Sequence, residues 1–109
     1  MSTLESAKAE AKRKGYKVKE MLAPALLGYE GMNPIMAKKT GFPDTENIIV
    51  ASNLSSEAKA IVICHELVEI DAMKQGQPYW KAHKKAWDGE VKYKDNLKRF
   101  GKCQVKRLP

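Results

Sequence analysis

The sequence AIVICHELVEIDAM, residues 60–73, decides the fold of this chain. It is largely apolar, yet it carries His65, Glu66 and Glu69 within five residues. An ionised side chain in apolar surroundings costs several kcal/mol unless a partner compensates its charge. The stretch therefore predicts a buried structural element together with a compensating partner, for which a metal ion is the first candidate.

The same stretch has the pattern of a helix that is buried on nearly all sides. Apolar residues surround its circumference at about 100° per residue. A serine supplies a cap at the start, and Gly76 followed by Pro78 ends the helix, which is predicted over residues 56–75. His65 and Glu69 lie one turn apart and project to the same side.

A second helix is predicted directly after the first. Pro78 opens it, and apolar residues recur at intervals of three and four as far as Phe100. His83 and Glu90 fall on its apolar side, whereas its lysines fall opposite. The connection between the helices is short, so we expect His83 to approach the histidine and the carboxylate of the first helix.

Two imidazoles and one carboxylate form a known ligand set of catalytic zinc, which keeps one position open for water. His65, Glu69 and His83 supply that set, and Zn²⁺ is the expected cofactor. Glu66 is the expected general base, which takes a proton from water whose pKa the zinc ion lowers. Glu90 is expected to orient a ligand histidine, or to replace a ligand such as His83.

Three further residues are candidates for supporting roles. Asp71 is a second residue that can orient a ligand histidine, although its place on the helix is also typical of a surface residue. Tyr79 and Tyr93 are candidates for stabilising an oxyanion. The alternative interpretation of His65 is a core histidine hydrogen-bonded to Glu69, and that of the second histidine is a half-buried ring.

The sequence HELVE at residues 65–69 resembles the His-Glu-x-x-His helix of the zincin metallopeptidases. The preceding residues, 48–60, are similar to those of small zincin-like domains in peptidases that cleave phage repressors. The resemblance covers residues 47–90. It implies that His65 binds zinc, and that Glu66 is the catalytic base of a minimal metallopeptidase acting on a peptide or protein.

The chain departs from the zincin pattern at two positions. The second histidine of the zincin motif is here Glu69, and the later acidic ligand is here His83. The exchange leaves the ligand inventory unchanged, but it alters the geometry and the Lewis acidity of the centre. Metal binding is therefore a firmer expectation than activity.

The fold class that the sequence predicts is α+β, as a single zincin-like domain over residues 1–109. It is expected to be mostly helical, with a short antiparallel or mixed sheet packed beside the helix that carries the site. The best strand, 47–51, is expected to offer its edge to an extended substrate. Residues 22–31 fit no element. The other predicted elements are a first helix with a Ser2–Glu5 capping box and an end at Gly15, a strand at 16–20, and a short helix between Asn33 and Gly41.

Charge supports a rival function. The chain has a net charge of +7, and residues 81–109 alone contain ten basic and three acidic residues. Such a surface can bind nucleic acid or an acidic partner, and a solvated lysine-rich helix face is its alternative interpretation. The rival function is a non-catalytic nucleic-acid-binding or regulatory module of a mobile genetic element, with a structural or vestigial metal site. The candidate residues for such binding are Lys84, Lys85, Lys92 and Arg99.

The two cysteines, Cys64 and Cys103, are expected to be free thiols, with Cys64 acting as a small hydrophobic residue turned away from His65. No apolar stretch has membrane-spanning length, and the first residues lack the pattern of a secretory signal. A cytoplasmic protein that does not associate with a membrane is therefore expected. The substrate and the oligomeric state are not predicted.

Overall fold

The computed structural model describes residues 1–22 and 29–105. Most of the stretch that fits no predicted element lies outside these ranges. The predicted α+β class and the predominance of helix are confirmed. In chain order the elements are α1 (Thr3–Arg13), β1 (Val18–Met21), β2 (Gly31–Met32), α2 (Pro34–Thr40), β3 (Ile48–Ala51), α3 (Ser56–Lys74) and α4 (Tyr79–Phe100).

The three strands form a mixed sheet with β3 in the centre. β1 pairs with β3 in parallel, and β2 pairs with its other side antiparallel. All four residues of β3 are buried, as an uninterrupted apolar run requires. The expectation that residues 47–51 offer a free edge is therefore wrong, because described strands occupy both edges of β3. The strand that lies beside the site is β2.

The helix α3 is the centre of the molecule. It packs against α1, α4 and the sheet, and most of its residues are buried. Ser55 caps it, with its side-chain oxygen accepting the Ala58 N–H at 3.1 Å. Despite this apolar character, neither α3 nor another helix in the described ranges is long and apolar enough to cross a bilayer. The main core comprises Ala7, Ala11, Ile48, Ala60, Ile63, Cys64, Leu67, Val68, Ile70, Ala86, Tyr93, Leu97 and Cys103.

Gly89 lies within α4, where its lack of a side chain leaves room for the ring of Tyr93. A Cβ atom at Gly89 would lie 2.6 Å from the hydroxyl oxygen of Tyr93. Tyr93 is buried against this position, and its hydroxyl donates a hydrogen bond of 2.8 Å to the carbonyl of Ala86. The glycine that weakens the helix locally thus allows the helix to pack on the core.

Cys64 of α3 and Cys103, which follows α4, form a disulfide with a Cα separation of 5.3 Å. The expectation of two free thiols is wrong. The 39-residue separation of the two cysteines gives no local signal of the pairing, which arises only when α4 folds back along α3. The backbone N–H of Cys103 also donates to Glu10 at 3.2 Å. Free thiols would have suited the expected cytoplasmic location, which gains no support from this pairing.

Candidate metal centre

The helices α3 and α4 bring His65, Glu69 and His83 together, as the sequence predicts. Nε2 of His65 lies 2.7 Å from Oε2 of Glu69, and Nδ1 of His83 lies 2.5 Å from the same oxygen. The two nitrogen atoms are 3.2 Å apart. Each residue offers one ligand atom, and these atoms lie close enough together to hold a metal ion.

The order of the elements explains why the three side chains meet. His65 and Glu69 are buried on one side of α3, at the one-turn spacing that the helix imposes. A short connection, with Gly76 in the left-handed conformation at a φ of 92°, reverses the chain after α3. The first turns of α4 then lie along the end of α3, and His83 comes to face Glu69.

Glu90 lies behind His65 and does not reach the three ligand atoms directly. Its Oε2 is 2.6 Å from Nδ1 of His65, while Nε2 of the same ring faces Glu69. This arrangement matches the expected orienting role, since a carboxylate on the far nitrogen fixes the ring and makes it a better ligand. Asp71 is placed elsewhere, in an ion pair of 2.6 Å with Lys14.

Glu66, the expected base, is buried beside the three ligands. Its Oε1 accepts a hydrogen bond of 3.1 Å from the amide of Asn33, and the same amide donates to Oε1 of Glu69 at 3.2 Å. Its Oε2 faces Gly31 of β2. A Cβ atom at Gly31 would come within 2.5 Å of Val62 and 3.2 Å of this oxygen, so glycine is needed for β2 to lie against α3.

A cavity of about 300 Å³ opens onto these residues. Its walls come from β2 and the two residues before it, from α2, and from the facing sides of α3 and α4. Four glutamates and two histidines line it among the described residues, and no lysine or arginine does. The cavity therefore attracts cations, although the chain as a whole is basic. Its lining is Tyr29, Glu30, Gly31, Met32, Met36, Thr40, Val62, His65, Glu66, Glu69, Tyr79, His83, Trp87 and Glu90.

The pKa of Glu66 reflects its burial first and the negative charge of its neighbours second. Burial raises the pKa of Glu66 to about 8, and the nearby carboxylate of Glu69 contributes to the rise. A carboxylate with such a pKa is largely protonated at neutral pH. A divalent cation placed among these groups would relieve the repulsion and restore the ionised form.

The pKa of His65 reflects the same crowding of carboxylates. Burial alone would lower this pKa, but the adjacent Glu69, with Glu66 and Glu90, raises it to about 9. Without a metal ion, His65 is therefore a cation between two carboxylates. The same residues are thus an ion-pair network in the absence of metal, and a metal ion must displace the proton of His65.

The spacing of the donor atoms fits a zinc ion after a small adjustment. Tetrahedral zinc with ligands at about 2.0–2.2 Å sets neighbouring donor atoms roughly 3.3–3.6 Å apart. The two imidazole nitrogens, at 3.2 Å, are already close to this separation. Glu69 would have to withdraw from them by less than about 1 Å, a movement that rotation of a single carboxylate provides.

The two candidate tyrosines differ in their surroundings. Tyr79 lines the cavity, and its hydroxyl lies 3.3 Å from Nδ1 of His83. Burial raises the pKa of Tyr79 to about 12, so this hydroxyl keeps its proton and can donate it in a hydrogen bond. The hydroxyl of Tyr93 instead donates to the backbone of α4, as described above.

Two residues of this site were not expected from the sequence. Asn33 has the sequence signature of a helix cap, Asn-Pro, which gives no sign of its contacts with Glu66 and Glu69. Gly31 lies in the stretch that fits no predicted element. Both depend on how β2 and α2 pack on α3, and this packing is not encoded in a local pattern.

The expected nucleic-acid-binding residues lie on the outer side of α4, away from the ligand atoms. Lys84 pairs with Asp88 at 2.8 Å, and Arg99 pairs with Asp95 at 3.4 Å. Lys85 and Lys92 are exposed. This surface is distinct from the acidic cavity, so the two functions that the sequence suggests belong to two sides of one helix.

Comparison of the chain with known protein families, with curated proteins and with solved structures finds no match in any of the three. The resemblance to zincins therefore rests on the residues of the sequence motif alone. The chemistry of these residues is the basis for inferring their function.

Proposed function

We propose that the chain is a zinc-dependent hydrolase and acts as a minimal peptidase. The observation that carries the proposal is the convergence of one atom each from His65, Glu69 and His83. Structural zinc sites usually have four protein ligands, whereas catalytic sites have three and leave a position for water. The present set has three members, with the orienting carboxylate of Glu90 behind one of them.

Each residue has a role in this proposal. His65, Glu69 and His83 would hold the ion, which supplies Lewis acidity and lowers the pKa of water toward neutrality. Glu66 lines the same cavity and is the proton acceptor, which later returns the proton to the leaving amine. The hydroxyl of Tyr79 donates a hydrogen bond to the oxygen that gains negative charge.

The placement of β2 supports a peptide as the substrate. Among the described strands β2 has one partner, β3, so its other edge has backbone groups available for an extended chain. Gly31 places this edge next to Glu66, at the wall of the cavity. A peptide that added to β2 would thus run past the proposed base. The sequence analysis had expected the substrate to bind along β3 instead.

The proposal is tested by separating zinc binding from hydrolysis. Glu66→Gln keeps the size of the side chain but removes the proton acceptor, and it should bind one equivalent of zinc while losing at least 100-fold in hydrolysis of fluorescein-labelled casein. His65→Ala should lose both. Zinc content by elemental analysis and the release of labelled peptides are the two measurements.

Asp71→Asn is the matched control, because it removes a carboxylate from the same helix outside the cavity. It should keep both zinc and activity. A wild-type chain that binds no zinc would contradict the metal centre. A zinc-loaded chain that Glu66→Gln leaves equally active would contradict the assignment of the base.

A second candidate function is nucleic-acid binding by the outer side of α4. Two exposed aromatic residues next to this side support it, since Trp80 and Trp87 are 65% and 63% exposed two turns apart on this helix, although Trp87 also lines the cavity. Exposed aromatic side chains beside lysines are typical of surfaces on which single-stranded bases stack. Lys85 and Lys92 add positive charge without an ion-pair partner among the described residues.

Fluorescence anisotropy with a labelled single-stranded oligonucleotide tests this second candidate. Binding should weaken steeply as salt concentration rises, and the Lys85→Glu, Lys92→Glu double variant should weaken it at least 10-fold. The zinc-binding variant His65→Ala should bind the oligonucleotide as the wild type does. The absence of salt-dependent binding would rule the second candidate out.

A further inference from the structure

Asn33 is buried completely at the N-terminal end of α2. Its Oδ1 accepts the backbone N–H of Met36 at 3.0 Å and caps the helix. This bond fixes the orientation of the side-chain amide, because only its oxygen can accept a hydrogen bond from an N–H group. The Nδ2 group of Asn33 is consequently turned toward α3.

That Nδ2 group lies between the two carboxylates of the site. It donates to Oε1 of Glu66 at 3.1 Å and to Oε1 of Glu69 at 3.2 Å. Each carboxylate thereby has one oxygen held by Asn33 and one that remains for other partners. The remaining oxygen of Glu69 is the one that faces both histidines, and that of Glu66 faces β2.

When a bound cation keeps both carboxylates ionised, two like charges held this close repel each other, and each would otherwise turn toward a partner of its own. A single amide with two N–H groups is suited to hold both, since it donates one hydrogen to each carboxylate. The position of Asn33 is itself fixed by the cap and by complete burial. The rotation of both carboxylates is thus set from α2, an element that provides no ligand.

We propose that Asn33 is a positioning residue of the metal centre, which holds Glu69 for binding the ion through one oxygen and holds Glu66 for proton transfer. The inference rests on the proposed metal centre. A role as a helix cap alone does not account for the geometry, because the cap uses only Oδ1 and a serine or an aspartate would serve equally well. Among the described residues, the Nδ2 group donates to the two glutamates alone.

Two variants separate the two roles of Asn33. Asn33→Ala removes both the cap and the hydrogen bonds to the glutamates. Asn33→Asp keeps an acceptor for Met36, but it presents a carboxylate oxygen to Glu66 and Glu69 in place of the donor. Ser2→Ala is the matched control, because it removes a cap of the same kind from α1, and Ser2 is outside the cavity lining.

The measurements are the dissociation constant for zinc, by chelator competition, and the visible absorption spectrum of the Co²⁺-loaded chain, which reports ligand geometry. Asn33→Ala should bind zinc 10- to 100-fold more weakly, the range expected when a residue that orients a ligand is lost. Asn33→Asp should change the cobalt spectrum although the cap is kept. Ser2→Ala should match the wild type in both measurements.

The results distinguish this inference from the metal centre on which it rests. A wild-type chain that binds zinc, with Asn33→Ala within threefold of its affinity and with an unchanged spectrum for Asn33→Asp, would overturn the positioning role alone. A wild-type chain without zinc affinity would overturn the metal centre. If Asn33→Ala fails to fold, the spectrum of Asn33→Asp decides the question.

Discussion

At Glu69 a single carboxylate contacts both histidines through Oε2 and the amide of Asn33 through Oε1. Glu69 is buried, so solvent does little to screen its charge. Either a protonated histidine or a metal ion therefore compensates the charge of Glu69. The choice has measurable consequences for the two neighbouring residues with shifted pKa values.

The metal-free chain should lose stability as pH rises. For Glu66 the pKa is raised from 4.5 to about 8, and for His65 it is raised from 6.5 to about 9. In both cases the folded state holds the proton more tightly than the unfolded state. The resulting stabilisation is complete below the unfolded pKa and is lost as pH passes the folded pKa.

Thermal unfolding followed by circular dichroism in EDTA, between about pH 5 and about pH 9, measures this loss. Glu66→Gln removes one of the two contributions, and its Tm should fall less steeply than that of the wild type. Asp71→Asn should follow the wild type. A metal-free Tm that stays level or rises across this range would contradict the charge balance inferred for the cluster.

The two tyrosines near the site should respond differently to loss of their hydroxyls. Tyr79→Phe removes a donor from the cavity, so it should lower kcat by about 10-fold or more with little change in zinc affinity or stability. Tyr93→Phe removes a hydrogen bond to the backbone of α4, so it should cost about 1 kcal/mol of stability and leave kcat close to that of the wild type. Casein hydrolysis and urea denaturation test the pair, and equal effects on kcat would contradict the assignment.

At the scale of elements, the contact between α3 and α4 brings together both the candidate metal ligands and the two cysteines of the disulfide. The ligands lie where the N-terminal half of α4 faces α3, and the Cys64–Cys103 bond fastens the residues that follow α4 to the same helix. Hydrogen bonds from Arg13 and Asn96 also hold this turn, at 2.7 Å to Gly101 and 3.0 Å to Cys103. The disulfide thus joins α3 to the residues after α4, whereas the contact of Glu69 with His83 joins α3 to the N-terminal half of α4.

Reduction of the disulfide should lower the free energy of unfolding by about 3 to 4 kcal/mol, the loop-closure entropy of a separation of this length. Guanidinium denaturation with and without a reducing agent measures this change. A Cys64→Ala, Cys103→Ala double variant is the control, and its stability should not respond to the reducing agent. An unchanged midpoint for the wild type under reduction would show that the bond does not form.

Local patterns in the sequence predicted the helices closely. The cap at Ser55, the glycine and proline that follow α3, and the apolar periodicity of α4 each act within a few residues, and each is confirmed. The central place of β3 and the pairing of the cysteines were predicted incorrectly. Both result from contacts between distant segments, which spacing along the chain does not reveal.

The same distinction holds for the candidate site. The sequence predicts that three of its side chains meet, those of His65, Glu69 and His83. Helix geometry fixes the spacing of the first two, and a short connection between the helices limits the position of the third. Asn33 and Gly31 could not be predicted in this way, because their contacts arise from the packing of α2 and β2 on α3. The sequence thus predicted which side chains converge, and the structure adds the residues that surround them.

At the scale of the whole molecule, charge is divided between an acidic cavity and a basic exterior. The net charge of +7 lies mainly on α4 and the residues beyond it, whereas the described lining of the cavity has four glutamates and no lysine or arginine. A small cation is attracted to the cavity, and a polyanion is attracted to the outer side of α4. The proposed zinc-dependent activity depends on the first of these two attractions.

Diffraction from crystals of the zinc-loaded chain, recorded on both sides of the zinc absorption edge, tests that dependence most directly. We expect one anomalous peak at about 2.0–2.2 Å from Nε2 of His65, Oε2 of Glu69 and Nδ1 of His83. A zinc-loaded crystal with no peak among these three atoms, or with its peak at another group of residues, would contradict the metal centre.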